Sequence, residues 1–172
     1  MLPTEAFQEQ LAILEAMSLR RRPTVDDQVA LSSKLVESFD GMSAKEREEV
    51  RSVLFDSALR KKLLILSGYM AEVAINLQRP DLLRVGLALN AIEGLSDDFR
   101  ENTKYLILIA FAAGKLGVAL SPIVTSVLSL VSEDARVRLD EFSRRDFGTN
   151  LLSSFGLRAD GEPGNFRFVP AS

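Results

Sequence analysis

The residue types that could do chemistry are concentrated in one short segment of this chain. Nine consecutive residues, 93–101, hold four carboxylates and one guanidinium: Glu93, Asp97, Asp98, Arg100 and Glu101. Carboxylate oxygens at this density are the ligands that Mg²⁺ and similar hard cations prefer. With Glu72 as a fifth carboxylate, the segment could therefore form a divalent-metal site of the kind found in all-helical pyrophosphohydrolases.

The same charges also have a structural interpretation, which we favour. Gly94 is predicted to end one helix in the left-handed conformation, and Asp97 or Asp98 to cap the next one. Arg100 would then neutralise Glu93 or Asp97 across the turn, because its planar guanidinium can serve two acceptors. No Glu-x-x-Asp pattern follows the chain's glutamate-rich stretch, so we predict no catalytic, cofactor-binding or metal-binding residue.

The composition excludes several other kinds of chemistry. The 172 residues include no histidine, which removes the commonest general base and zinc ligand, and no cysteine, which removes thiolate sites and disulfides. The net charge of −3 comes from interspersed acids and bases, so we expect neither nucleic acid nor a membrane as partner. Glycine-rich phosphate loops and the Gly-x-Ser-x-Gly elbow are also missing.

One apolar run is long enough to cross a bilayer. Residues 105–131 contain a single charge, Lys115. However, Gly114-Lys-Leu-Gly117 is typical of a helix end, and Ser121-Pro122 is typical of a helix start. Two short buried helices therefore explain the run better than a membrane span. Since no signal peptide is visible either, we expect a cytoplasmic protein.

Helix signals recur along most of the chain, and these helices would position the charged segment. Candidate N-caps and first-turn prolines are spread over its length: Thr4, Thr24, Ser43, Asp56, Pro80 and Pro122. Between them, apolar residues recur every three or four positions, as in amphipathic helices. The predicted helices cover about 4–17, 25–40, 44–55, 57–77, 80–93, 98–116, 122–131 and 133–144.

The middle of the predicted 98–116 helix is apolar on every side, which is typical of a helix surrounded by protein. An exposed face on this helix would instead be explained by a homodimer. Gly86 lies inside another predicted helix and is expected to permit the close approach of a neighbour. We predict one buried cluster with the members Leu63, Leu66, Met70, Leu87, Leu89, Leu106, Ile109 and Phe111.

The last segment changes from helical to alternating periodicity. Phe155 and Leu157 alternate with polar neighbours, as do Phe166 and Phe168. A turn rich in glycine and proline separates the two pairs, which is a hairpin signal. We predict a β-hairpin whose apolar face lies on the helices, because an isolated hairpin is marginally stable in water.

The predicted fold class is all-α, with about seven or eight helices and a small C-terminal β-hairpin. A single helical domain would occupy residues 1–150 and the hairpin tail residues 151–172. Pro80 and Pro122 start comparable helices about forty residues apart, near the length of a HEAT or armadillo repeat, although the two units match poorly. An irregular helical bundle and a short HEAT-like α-α superhelix therefore both stay open.

A resemblance rests on several short motifs of this chain: Leu82-Leu-Arg-Val-Gly-Leu-Ala-Leu89, Asp98-Phe-Arg-Glu101, Lys115-Leu-Gly117, Phe155-Gly156 and Asn165-Phe-Arg-Phe168. On these motifs the chain resembles a set of uncharacterised bacterial all-helical proteins of HEAT/armadillo-like type. The resemblance covers about the C-terminal two-thirds and leaves residues 1–41 outside. It implies a helical fold and a bacterial source, and it brings no established activity with it.

By elimination, the leading functional hypothesis is a non-catalytic protein–protein interaction or scaffold module. Its partner would be a protein or peptide, since such binding requires no titrating base. The alternative is a carboxylate-dependent divalent-metal hydrolase or a small-molecule-binding protein. Binding of magnesium or manganese would favour that alternative.

Overall fold

The computed structural model describes residues 2–17, 24–94, 99–145, 152–153, 156–162 and 165–170. Within these ranges, eight α-helices of at least eight residues precede a two-stranded antiparallel hairpin, which confirms the predicted fold class. The helices are α1 (Pro3–Ala16), α2 (Val25–Asp40), α3 (Ala44–Arg51), α4 (Ser57–Leu77), α5 (Asp81–Glu93), α6 (Arg100–Leu116), α7 (Ser121–Leu128) and α8 (Glu133–Ser143). The strands are β1 (Leu157–Glu162) and β2 (Asn165–Pro170).

Local capping chemistry sets many of the helix boundaries. The Thr24 hydroxyl accepts a hydrogen bond from the Asp27 N–H at 3.1 Å, and the Asp56 carboxylate caps α4 in the same way. Ser43 and Glu46 form a reciprocal capping box at the start of α3. These three predicted N-caps are confirmed, as is the end of α5 at a left-handed Gly94.

The predicted N-caps of the first helix and of α6 differ from the structure, and the predicted starts at Pro80 and Pro122 are each displaced by one residue. The first helix begins at Pro3 with Leu2 at the N-cap position, so Thr4 lies inside α1. Helix α6 begins at Arg100 with Phe99 at its N-cap, at φ 57° and without a side-chain cap. The expected N-caps of that helix, Asp97 and Asp98, lie outside the described residues.

Helix α4 lies at the centre of the helical packing. It packs against α5 and α6 and also touches α1 and α2. The approach of α5 is close at Gly86, where a Cβ would lie 3.0 Å from the Ser67 carbonyl oxygen and 3.3 Å from the Met70 Cβ. The predicted reason for this glycine is therefore confirmed.

The predicted core is confirmed at six positions and is wrong at one. Leu106 is half-buried against the core, but Phe111 keeps 58% of its surface exposed. Phe111 is exposed because α4 and α5 cover only part of the circumference of α6. The expectation that protein surrounds residues 106–113 is corrected accordingly. The six buried members are Leu63, Leu66, Met70, Leu87, Leu89 and Ile109.

A C-terminal hairpin is confirmed, but β1 extends through residues 160–162 into the segment whose glycines and proline predicted the turn. Leu157 pairs with Pro170, and Phe168 and Phe166 stand opposite Ala159 and Gly161 in the neighbouring strand. The hairpin packs on the helical part, since β2 contacts α7 and β1 contacts α8. Leu157 is buried there in a small cluster with Leu152, Val124, Leu128 and Leu139. Phe155 lies outside the described residues, and the division into residues 1–150 and 151–172 stays a prediction.

The long apolar run is divided into two helices. Helix α6 ends at a left-handed Gly117, and α7 begins four residues later at Ser121 with Pro122 in its first turn. Among the residues that the structure describes, no helix combines the length and apolar character that a membrane crossing requires. Helices α5 and α7, the candidate repeat pair, have 13 and 8 residues, and the repeat stays a prediction.

Candidate functional site

The structure separates the residues of the predicted charged turn. Glu93 is buried at the end of α5, whereas Arg100 and Glu101 are exposed in the first turn of α6. Asp97 and Asp98 lie outside the described residues, so their predicted capping role stays a prediction. The described members of the turn therefore face two environments, the protein interior and the solvent.

Both carboxylate oxygens of Glu93 are occupied by neighbouring side chains. Oε1 lies 2.9 Å from Nη2 of Arg60 and accepts a hydrogen bond from its Nε at 3.1 Å. Oε2 accepts a hydrogen bond from Nδ2 of Asn102 at 2.9 Å. Arg100 was predicted to neutralise Glu93 or Asp97. The structure places the guanidinium of Arg60 against Glu93, and Asp97 lies outside the described residues. Sequence reasoning missed Arg60 because it lies 33 residues earlier, on α4.

The Glu93 pair continues into a chain of buried hydrogen bonds. Nδ2 of Asn102 also donates to Oδ1 of Asn90 at 3.1 Å, and Nδ2 of Asn90 donates to the Ser67 hydroxyl. That hydroxyl donates to the Gly86 carbonyl at 2.6 Å. The network links α4, α5 and α6, and its members satisfy one another, as buried polar groups must. This arrangement stabilises the packing of three helices and engages both carboxylate oxygens of Glu93.

The metal-site hypothesis finds no support in the described part of the chain. Within those ranges, no three carboxylates lie close enough together to hold a cation. Glu72 is exposed on α4, and Glu93 is paired with Arg60. Oε2 of Glu101 lies 3.7 Å from Nζ of Lys104 on the same helix. Burial and then the charge of Glu101 raise the pKa of the nearby Tyr105 phenol, which keeps that group neutral.

Arg47 on α3 binds backbone carbonyls at the ends of two other helices. Its Nε and Nη2 donate to the carbonyls of Phe39 and Asp40 at the end of α2, both at 3.0 Å. Its Nη1 donates to the Ser129 carbonyl, just after α7, at 3.2 Å. Helix C-termini carry unpaired carbonyls and a partial negative charge, so a cation is well placed there.

Arg51, one turn later on α3, has a similar role. It donates to the Leu130 carbonyl after α7 and to the Ala91 carbonyl of α5, and it pairs with Glu48 at 2.8 Å. Burial lowers the pKa of Arg51, while the pair with Glu48 acts in the opposite direction. A groove of about 620 Å³ lies between α3 and the start of α8, and these two arginines line it. Through these carbonyls, both arginines hold α3 against the ends of neighbouring helices.

An apolar cavity of about 90 Å³ lies between α5, α6, α7, α8 and β1. Its two polar lining residues are already bonded within the protein: Asn90 in the buried network, and Thr103 through its hydroxyl to the Phe99 carbonyl at 2.7 Å. The walls that the described residues form are therefore almost entirely apolar. They include Leu87, Phe99, Val127, Leu139, Phe142 and Leu157.

The outward side of α6 exposes three large apolar side chains together. Ile107, Leu108 and Phe111 are each about half exposed, whereas the other exposed large apolar residues of the described ranges are spread over different elements. Nζ of Lys115 lies 5.5 Å from the centre of the Phe111 ring, so this lysine borders the same surface. We call this surface the α6 face; it comprises Glu101, Lys104, Ile107, Leu108, Phe111 and Lys115. Sequence reasoning missed it because a helix that is apolar all round is usually buried.

Comparison of the chain with protein families, with curated proteins and with solved structures gave no match. The resemblance to bacterial HEAT/armadillo-like proteins therefore stays a prediction.

Proposed function

We propose that this protein is a non-catalytic protein–protein interaction module and that the α6 face is its contact surface. The observation that carries the proposal is the exposure of Ile107, Leu108 and Phe111 side by side on one helix. Single exposed apolar residues are normal on a protein surface, whereas contiguous ones bordered by charges are typical of interaction sites. The flanking Glu101 and Lys115 supply such a border.

The polar chemistry of the molecule agrees with a binding role. The charged and amide side chains of the buried network are engaged with one another, as Glu93 is with Arg60 and Asn102. Arg47 and Arg51, which line the α3 groove, bind helix carbonyls. A contact surface needs no titrating base, so the lack of histidine and cysteine does not hinder it.

Site-specific photo-crosslinking tests this proposal. A photo-reactive amino acid is placed at Phe111, and in a control at Glu37, which is exposed on α2. After irradiation of the cells that natively make the protein, we expect defined protein adducts from position 111 and none above background from position 37. Adding Leu108→Asp to the position-111 variant should abolish the adducts. Equal adducts at both positions, or none at position 111, would contradict the proposed contact surface.

A second candidate function is the binding of a small apolar molecule, which the cavity beside β1 favours. Apolar cavities stay dry, and an engineered cavity of about 150 Å³ binds benzene. The cavity here is smaller, so the candidate ligand is a short aliphatic or single-ring molecule. Benzene should raise the melting temperature and shift the methyl resonances of Leu87 and Val127, and Val124→Phe, whose ring occupies much of the cavity, should remove both effects. Unchanged methyl resonances in saturating benzene would contradict this candidate.

A further inference from the structure

We infer that the partner of the α6 face is a second copy of this chain, packed antiparallel across a two-fold axis at Leu108. The inference rests on the proposed function and names its partner. Most oligomers of soluble proteins are symmetric, and a two-fold interface uses the same surface twice. The α6 face must therefore be complementary, in side-chain spacing and in charge, to a symmetry-related copy of itself.

The spacing of the α6 face fits a helix–helix seam. Side chains three and four positions apart lie on the same side of a helix, and a repeating three-four pattern forms a continuous seam for a second helix. Ile107 lies directly beside the seam on the helix surface. The three-four-three-four series consists of Glu101, Lys104, Leu108, Phe111 and Lys115.

The charges of the seam select an antiparallel arrangement. Across a two-fold axis at Leu108, a residue seven positions before the axis lies opposite the residue seven positions after it. Since 108 − 7 = 101 and 108 + 7 = 115, Glu101 lies opposite Lys115 of the partner subunit, and the symmetry forms this pair twice. A parallel pair would place like charges together at both ends, which is unfavourable. Antiparallel helices also bring opposite dipole ends together.

The apolar centre of the seam would be covered in the same arrangement. Leu108 packs against its own symmetry mate, and Ile107 and Phe111 flank it on the exposed side of α6. An interface centred on one helix is smaller than the standard of roughly 800 Å² per partner, so we expect a weak dimer. Its dissociation constant should be on the order of 10 μM, a range in which dilution separates the two copies.

Sedimentation velocity on the full chain tests this inference. As the concentration rises from about 1 to about 300 μM, the average mass should increase from 19.0 kDa towards twice that value. Leu108→Asp and, as a second variant, Phe111→Ser should remain monomeric throughout. Both side chains are about half exposed, so circular dichroism should show folded proteins.

A charge swap tests the antiparallel register. Glu101→Lys should weaken the dimer about tenfold, because it replaces two attractive pairs with two repulsive ones. Adding Lys115→Glu restores opposite charges and should bring the dissociation constant back to within about threefold of the original. Glu37→Lys on α2 makes the same change of charge away from the seam and should leave the constant unaltered.

The outcomes separate this inference from the proposed function. A wild-type chain that stays monomeric at the highest concentration overturns the second-copy inference, and adducts of another protein at position 111 would then still support the interaction module. A dimer that forms but ignores Leu108→Asp places the interface elsewhere and overturns the inference as well. A dimer that Leu108→Asp abolishes, but that the charge swap fails to restore, overturns the antiparallel register.

Discussion

The two sides of helix α6 violate the usual rule of burial in opposite ways. Its inner side carries Asn102, a fully buried polar residue that donates hydrogen bonds to Glu93 and Asn90. Its outer side carries Leu108 and Phe111, which are apolar and half exposed. A buried polar group must find its partners within the fold, whereas an exposed apolar patch finds them outside it. The inner side of α6 therefore stabilises the fold, and the outer side is the surface to which we assign the proposed binding role.

The largest expected effect tests this contrast directly on α6. Ile109 is fully buried, so Ile109→Ala should lower the free energy of unfolding by about 2–5 kcal/mol. Phe111→Ala, two residues further on, removes a larger side chain from the outer side. This substitution should change the free energy of unfolding by less than about 0.5 kcal/mol in dilute, monomeric protein. Urea unfolding measures both variants. Equal losses would mean that the outer side is part of the core.

The second effect concerns the buried pair between Arg60 and Glu93. Arg60→Leu leaves the Glu93 carboxylate buried without its cation, so we expect a loss of about 3 kcal/mol in unfolding free energy at neutral pH. Arg79→Leu is the matched control, because Arg79 pairs with Asp81 at 2.7 Å in an exposed position. Such pairs contribute less than about 1 kcal/mol. If the two leucine variants unfold at the same urea concentration, the buried Glu93 pair contributes no more to the free energy of unfolding than the exposed Arg79–Asp81 pair does.

Replacement by alanine should change the free energy of unfolding in opposite directions at two glycines on neighbouring helices. Gly86→Ala places a Cβ 3.0 Å from the Ser67 carbonyl oxygen, so the helices must separate, and the loss should be about 1–3 kcal/mol. Gly114→Ala meets nothing within 4 Å and replaces a poor helix former, so a gain of about 0.5–1 kcal/mol is expected. Thermal unfolding of both variants at low concentration compares them. A stabilised Gly86→Ala protein would contradict the close packing of α4 and α5.

Much of the helical pattern could be predicted from the sequence, because its signals are local. Ser43 and Glu46 stand three residues apart, and that spacing alone is enough to form the capping box that begins α3. Gly94 likewise ends α5 as predicted, because glycine adopts the left-handed conformation of a helix C-terminus without strain. The alternating pattern around Leu157 predicted β1 for the same reason. These elements depend on neighbours within a few positions.

The partners across the fold could not be predicted in this way. Nothing near Glu93 in the sequence points to Arg60, because the pairing depends on how α4 packs beside α5. The burial of Phe111 failed as a prediction for a related reason. Apolar composition shows that a helix needs cover, but it does not show whether the cover comes from the same chain or from another. Arg47 and Arg51 were missed because the carbonyls they bind belong to distant helix ends.

The smallest expected effect depends on pH and separates local capping from tertiary packing. The Ser43 N–H donates to Oε1 of Glu46 at 3.0 Å, and this bond, then the Ser43 hydroxyl, lowers the pKa of Glu46 below its ordinary value of 4.5. A carboxylate with a lowered pKa stabilises the fold above its ordinary pKa, and this contribution is lost as the pH falls through the lowered value. Glu46→Gln keeps an acceptor for the Ser43 N–H but cannot titrate. The wild type should therefore be slightly more stable than Glu46→Gln at pH 7, and the two should converge in acid.

Glu37→Gln is the control for this pH dependence. It removes a carboxylate from the last turn of α2, where negative charge opposes the helix dipole, so it should be neutral or slightly stabilising at pH 7. Both variants lose one charge, which removes the overall electrostatic change from the comparison. Thermal unfolding from pH 7 down to about pH 3 measures each difference. Because Glu46 acts within one turn of α3, the Glu46→Gln difference should be the same in monomer and dimer, unlike any change on the α6 face. A difference that instead varies with protein concentration would show that α3 also takes part in self-association.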